Sequence, residues 1–318
     1  MYKAVDVRDN SEIVILNPKW LASIESLRLL GRDDILVCQE CKQPVRVRAG
    51  DERREHFAHK RLGDCTYEDE SPRLREARAV LYQWLVGKFG ADVSLEKNID
   101  GANFFRPIDC CVQRENKIFA YWIFDGSLKP EKRDQLQIAI RPDVEVHWVF
   151  TFDMLHTKDE QLFVLFLSPT EREFIQHSEY DRINSDGYSD GSLHYLDAER
   201  RKLHTYRSLN RIHYPQMYQG FEITSELDRL LVSPATGEFV HLGEREDLID
   251  HRKAQERFWA GQTNDAAETY HHPNQKTQGG QGRVGKCVKC GEETDDWISF
   301  DGRTGTCECR KCFGVQRK

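Results

Sequence analysis

Two clusters of cysteine and histidine constrain this chain more than any other feature. Cys38 and Cys41 are followed by His56, His59 and Cys65; the tail carries Cys287, Cys290, Cys307, Cys309 and Cys312. CxxC pairs outside a secretory context favour metal binding over disulfides. In the tail, Cys287-x2-Cys290 and Cys309-x2-Cys312 are separated by 18 residues. That spacing predicts a C-terminal zinc ribbon in which four thiolates fill the tetrahedral shell and leave no open position. Cys307 is an alternative ligand or a spare thiol. The first cluster offers five candidates for four places. Cys38 and Cys41 form one knuckle; His56 and His59 form the other, or Cys65 displaces one histidine. The alternative is that the histidines are ordinary core or surface residues. Two structural Zn2+ ions are therefore expected.

Composition narrows the class. Hydrophobic residues make up 39% and charged residues 31% of 318, which predicts a polar globular chain of one large domain or two to three smaller units. No run approaches the roughly 18 apolar residues of a membrane span. The opening "MYKAVDVRDN" has no basic-then-apolar signal region, so a cytoplasmic protein without a membrane partner is expected. The net charge of -7 means that nucleic-acid binding must rest on local basic patches. "RREHFAHKRLG" and "RLREARAVLYQWLVGK" are two such patches, with Arg53, Arg54, Lys60, Arg61, Arg73, Arg75 and Arg78 as candidate phosphate contacts. The competing reading is an ordinary solvated face.

Periodicity supplies the elements. Strands are expected in "KAVDV" and "EIVIL", and a short helix in "PKWLASIESLRLLG". "SPRLREARAVLYQWLVGKFG" is the clearest helix, with Ser71 as N-cap, Pro72 in the first turn and Gly90 as its end. Leu74, Ala77, Leu81, Trp84 and Leu85 share its apolar face. "DVSLEKNI", "RPIDCCVQ" and "KIFAYWIF" follow as strands, the last two joined by a turn at residues 114–117. A helix in "KPEKRDQLQIAI" and a buried strand in "VEVHWVFT" come next. Further on come a strand in "QLFVLFLS", a capping box of Ser168 with Glu171, a hairpin around Ala198-Glu199 and a polar helix in "REDLIDHRKAQERFWAG". This predicts an α/β fold. The expected units are residues 1–66 (strands and Cys/His module), 67–155 (α/β core), 156–260 (α+β extension), 261–286 (flexible linker) and 287–318 (zinc ribbon).

Several of these pieces together resemble the competence protein CoiA-like family. They are "CQEC", "HFAH", Cys65, the "ES" helix start in "DESPRLREARAVLYQWL", "LEKNI" and "RPIDCCVQ", spanning about residues 36–150. The resemblance implies a restriction-endonuclease-like core of the PD-(D/E)xK type and a role in DNA handling. A nuclease of that kind needs carboxylates to hold Mg2+ or Mn2+ and a lysine or similar group near the attacking water. The family pattern places Glu96 and Asp109 at two acidic positions. Its Glu-x-Gln pair falls on Trp122 and Phe124, and its helix His and Lys fall on Leu74 and Arg78. Aromatic rings offer no oxygen to a hard cation. The expectation is a catalytic fold whose metal cleft is plugged by Trp122 and Phe124.

Three functions compete on this reading. One is a degenerate nuclease-like DNA-binding protein of DNA processing, uptake or phage defence. Another is an active divalent-metal-dependent DNase with a rearranged site of Glu96, Asp109 and Asp125, which requires a bulge at Phe124. The third is an adaptor that recognises a protein partner through the C-terminal ribbon. A redox role for the CxxC pairs has no thioredoxin-like context to support it.

Overall fold

A computed structural model describes residues 1–243 apart from 51–52, 62–64, 66, 68–69, 100–105, 133–142, 156–157, 160–163, 176–190 and 212–216, and the backbone of four strands between 285 and 309. The chain divides into two compact units, Met1–Phe258 and Trp259–Lys318. Of the helix expected at residues 129–140 only the start, 130–132, is described and is helical; the helix expected at 245–261, most of the 261–286 segment, and the ligand positions Cys290 and Cys312 lie outside the described residues.

The first unit begins with a small sheet. Strand β1 (Lys3–Asp6) pairs antiparallel with β2 (Glu12–Val14) and with β3 (Leu36–Val37). Helices α1 (Pro18–Leu21) and α2 (Ile24–Arg32) lie between them in sequence. A two-stranded antiparallel ribbon follows, β4 (Val45–Gly50) with β5 (Arg53–His59). Helix α2 packs tightly on this ribbon at Gly31, where a Cβ would stand 3.2 Å from the Val45 carbonyl oxygen.

Helix α3 (Pro72–Phe89) starts and stops where its sequence predicts. Ser71 Oγ accepts the Leu74 N–H at 3.0 Å, Pro72 sits in the first turn, and Gly90 ends the helix at φ +61°. Its expected face is buried, and so are Ala79, Val80 and Tyr82. It is thus covered on most sides rather than along a single stripe.

A nine-stranded mixed sheet carries α3. Its strands are β6 (Val93–Lys97), β7 (Ile108–Arg114), β8 (Lys117–Phe124), β9 (Val144–Thr151), β10 (Lys158–Asp159), β11 (Val164–Phe166), β12 (Gly191–Asp197), β13 (Lys202–Arg211) and β14 (Met217–Glu226). They lie in the order β10-β11-β14-β13-β12-β9-β8-β7-β6. The β8–β9 and β9–β12 pairs are parallel and the rest antiparallel. Since β9 pairs directly with β12, one sheet runs across the boundary expected at residue 155. The short helix α4 (Pro169–Glu173) has the capping box read from its sequence, with Ser168 Oγ accepting from Glu171 N and Glu171 accepting from Ser168 N.

Strand alternation sorts β8 into two cores. Phe119, Tyr121 and Ile123 join the core under α3. Ala120, Trp122 and Phe124 join a separate, aromatic-rich core with Trp148, Phe150, Phe174 and Tyr195. Among the described residues, no helix is long and apolar enough to cross a membrane.

A hairpin of β15 (Leu230–Val232) and β16 (Phe239–His241) covers a buried polar network. His194 Nδ1 lies 2.9 Å and His241 Nε2 2.7 Å from Thr205 Oγ1, while His241 Nδ1 lies 2.8 Å from Ser225 Oγ. His147 Nε2 lies 3.0 Å from the Thr236 carbonyl oxygen. The hairpin turn needs glycine at 237, where φ is +74° and a Cβ would stand 2.6 Å from the Phe119 ring.

Burial holds all three of these histidines in the neutral form. It pushes His147 down to about 4, His241 to about 3, and His194 well below the ordinary value. The folded protein therefore binds fewer protons than the unfolded chain below pH about 6.5. Stability should be constant above that pH and fall as pH drops toward 4. Each histidine should cost about 2 kcal/mol between pH 7 and pH 5. Urea midpoints across this range check the slope, and His147→Gln should make it shallower.

Candidate functional site

Two polar centres stand out. In the first, Cys38, Cys41, His59 and Cys65 bring one ligand atom each to within 4.8 Å of one another. Cys38 and Cys41 flank the turn after β3, His59 ends β5, and Cys65 lies just beyond. The Cys38 and Cys65 sulfurs are 3.8 Å apart, and Cys41 Sγ is 3.2 Å from His59 Nε2. A tetrahedron with Zn–S bonds of about 2.3 Å has edges of about 3.8 Å, so this donor set fits one ion such as zinc. The Glu40 N–H points at Cys38 Sγ, 3.4 Å away, which steadies a thiolate. Burial pushes the Cys38 thiol up to about 12; a divalent cation is what would deprotonate such a group at neutral pH.

The fifth candidate, His56, stands outside this group. It is buried, with Nδ1 2.9 Å from the Arg54 carbonyl oxygen. Strand alternation explains the choice. His56 lies three residues before His59 on β5, and an odd separation puts the two side chains on opposite faces of the ribbon.

The second centre is built on β6, β7 and α3. Glu96 and Asp109 are 1% and 0% exposed. A third carboxylate, Glu70, joins them from the segment just before Ser71. Arg78 stands among all three, itself 1% exposed. Its NH2 lies 2.7 Å from Glu70 Oε1, its NH1 donates to Glu96 Oε1 at 2.7 Å, and its Nε donates to Asp109 Oδ1 at 2.7 Å. Arg106 adds a bond to Asp109 Oδ1 at 2.8 Å and another to the Ile123 carbonyl oxygen at 2.6 Å. Asp109 Oδ2 accepts the Ile123 N–H at 2.7 Å. Glu96 also accepts from the Tyr2 and Lys3 amides at 2.8 and 3.1 Å. Its own backbone is in the left-handed region at φ +47°, which costs of order 1–3 kcal/mol at a non-glycine residue.

The electrostatics follow from this packing. Burial would raise Glu70, yet Arg78, with the N-terminal amine and Arg106, outweighs it and holds Glu70 down at about 2. Burial likewise opposes the Arg78 charge, and Glu70, Asp109 and Glu96 overcome it, so the guanidinium stays protonated.

Several expectations are corrected. Trp122 and Phe124 do not plug the acidic site; they face the opposite core, and Arg106 lies over Trp122 with its guanidinium carbon 4.9 Å from the ring centroid. What fills the carboxylate cage is Arg78. Asp125 is exposed beyond the end of β8 and does not join the site. Glu70, unassigned from sequence, takes the third place; its only signal was the Glu-Ser pair ahead of α3. Arg78, expected on a DNA-facing surface, is fully enclosed and cannot reach a phosphate.

The other basic candidates divide by partner. Arg54 forks onto Glu76 at 3.0 and 2.7 Å. Lys60 meets Asp34 at 2.5 Å, and Arg73 meets Asp153 at 3.1 Å. Arg75 donates to the Glu70 carbonyl oxygen at 2.9 Å. Arg61 is exposed, and the Arg53 side chain lies outside the described residues.

In the second unit, the backbone forms a four-stranded sheet of β17 (Gly285–Cys287), β18 (Glu293–Thr294), β19 (Trp297–Asp301) and β20 (Thr306–Cys309), ordered β18-β17-β20-β19. Its register sets Cys287 beside Cys307. Cys307, read from spacing as an alternative ligand or a spare thiol, is thus the backbone neighbour of a predicted ligand.

Two outcomes test these centres. Arg78→Met should lower stability by about 3–5 kcal/mol, because it leaves buried Glu96 without its cation and takes one partner each from Glu70 and Asp109, which keep the N-terminal amine and Arg106; denaturant unfolding measures this. Elemental analysis should find about two zinc ions per full chain and about one after Cys41→Ser.

No curated protein and no solved structure matches the chain. Residues 21–68 match the family described as competence protein CoiA, N-terminal domain. That segment, which is similar to the CoiA N-terminal domain, holds α2, the β4–β5 ribbon and all four residues of the Cys/His centre.

Proposed function

We propose that this chain is a zinc-containing, nuclease-like protein that binds DNA without cutting it, acting in DNA processing, uptake or phage defence. In this reading the core under α3 is a restriction-endonuclease-like, PD-(D/E)xK-type scaffold. The Cys38/Cys41/His59/Cys65 centre holds structural Zn2+, and the tail forms a second zinc ribbon able to engage a partner. The observation that carries the reading is Arg78 bonded to Glu70, Glu96 and Asp109 together. A divalent ion at these oxygens and the guanidinium would need the same lone pairs. Displacing the arginine would leave its charge buried without a partner, at a cost of several kcal/mol. Cleavage by this site therefore requires a rearrangement of α3 against β6 and β7.

The experiment separates binding from cutting. Purified protein is incubated with supercoiled, linear and single-stranded DNA in Mg2+ and in Mn2+. Every form should remain intact, while mobility shifts show binding that weakens as salt rises. Cleavage that disappears in Asp109→Asn would replace this reading with an active DNase. Absence of binding at low salt would remove the DNA-handling reading altogether.

A further inference from the structure

The β4–β5 ribbon carries positive charge that its surroundings leave unneutralised. Arg46 and Arg48 are both exposed. They alternate along β4 and so leave it on one face, with Cα atoms about 6.8 Å apart. The register places Ala58 opposite Arg46 and His56 opposite Arg48, so neither arginine faces a carboxylate across the ribbon. Among the described residues, neither forms an ion pair. The basic groups around them differ. Arg28 is paired with Glu25, Arg32 with Asp33, Arg54 with Glu76 and Lys60 with Asp34. Burial, with the charges of the N-terminal amine, Arg75 and Arg48 adding to it, holds His56 below the usual imidazole range. The positive field on this face thus comes from the arginines and not from the histidine.

The ribbon is also held firmly. Val45 and Phe57 on its other face are buried in the core. Helix α2 closes on its backbone at Gly31, and the Cys/His centre gathers at its base through His59. A fixed, two-stranded ribbon with paired, solvent-facing arginines matches a surface that follows neighbouring phosphates of one strand.

The geometry points to Arg46 and Arg48 as phosphate contacts, with the outer face of the β4–β5 ribbon lying along the sugar–phosphate backbone of duplex DNA. This rests on the DNA-binding reading above and assigns it a surface separate from the carboxylate cage.

Fluorescence anisotropy with a labelled duplex of about 20 base pairs, at salt from about 50 to 200 mM, tests it. The full chain is compared with the double variants R46A/R48A and R200A/K202A. The control pair removes two basic residues at the β12–β13 turn, ion-paired there with Asp197 and Glu226. R46A/R48A should bind at least about tenfold more weakly at fixed salt, with the slope of log affinity against log salt shallower by about 2. R46K/R48K should recover most of the affinity, and the control should match the unaltered chain. If the unaltered chain binds and R46A/R48A keeps both affinity and slope, the ribbon assignment is wrong while the DNA-binding reading stands. Equal weakening in both alanine pairs also overturns the assignment, since loss of charge anywhere would then suffice. Failure of the unaltered chain to bind defeats the underlying reading itself.

Discussion

The contact among Arg78, Glu70, Glu96 and Asp109 joins a helix, the segment before it and two strands within residues 70–109. Arg78 comes from the middle of α3, Glu70 from the segment before it, Glu96 from β6 and Asp109 from β7. Glu96 extends the network into β1 by accepting the Tyr2 and Lys3 amides. Charges buried this deeply are tolerated only when each is paired and hydrogen-bonded. The network therefore fixes the position of α3 on the sheet more narrowly than apolar packing alone. Leucine and alanine faces can slide by a fraction of a turn, but a guanidinium bonded to three carboxylates cannot.

The Cys/His centre is tied to the same network. Gln39, between Cys38 and Cys41, donates to the Glu96 carbonyl oxygen at 2.9 Å and bonds to the Tyr67 hydroxyl. Asn98, just past β6, donates to Glu40 of the same knuckle at 2.9 Å. The knuckle thus braces the residue whose backbone is strained at φ +47°. Strain of that kind persists only where surrounding contacts overdetermine it. A metal ion gathering the four ligands would stiffen the knuckle and, through Gln39, the acidic cage. This gives the small N-terminal module a structural role in the core in addition to any surface it presents.

Local rules reached some of this architecture and missed the rest for identifiable reasons. The ends of α3, the capping box at Ser168 and the hairpin between β12 and β13 depend on neighbours in sequence, and they were legible. The division of β8 into two faces followed from alternation. What alternation could not reveal was the distance from each face to the acids. Trp122 has the parity of Asp109, but the β7–β8 pairing ends at Cys110 and Tyr121. Beyond that point the Asp109 carboxylate takes the Ile123 N–H itself, so strand parity no longer places it. Glu70 was hidden because a carboxylate beside a helix cap looks like any solvated acid. Arg78 looked like a surface cation because only the fold supplies the three acids that enclose it.

On the DNA-binding reading proposed above, binding and cutting draw on separate parts of the molecule. Cleavage by carboxylate-held metal depends on oxygens that Arg78 already occupies, inside the protein. Phosphate binding depends on charge at the surface, and several surface cations on the N-terminal module, among them Arg28, Arg32, Arg54 and Lys60, are paired with a neighbouring acid. Among the described residues Arg46 and Arg48 form no ion pair, and neither belongs to the carboxylate cage. Loss of metal-dependent chemistry at Glu70, Glu96 and Asp109 would therefore leave the ribbon's field unchanged. Under the proposed reading, a nuclease-like scaffold with its acidic site closed keeps an affinity for DNA because the two properties draw on different charges.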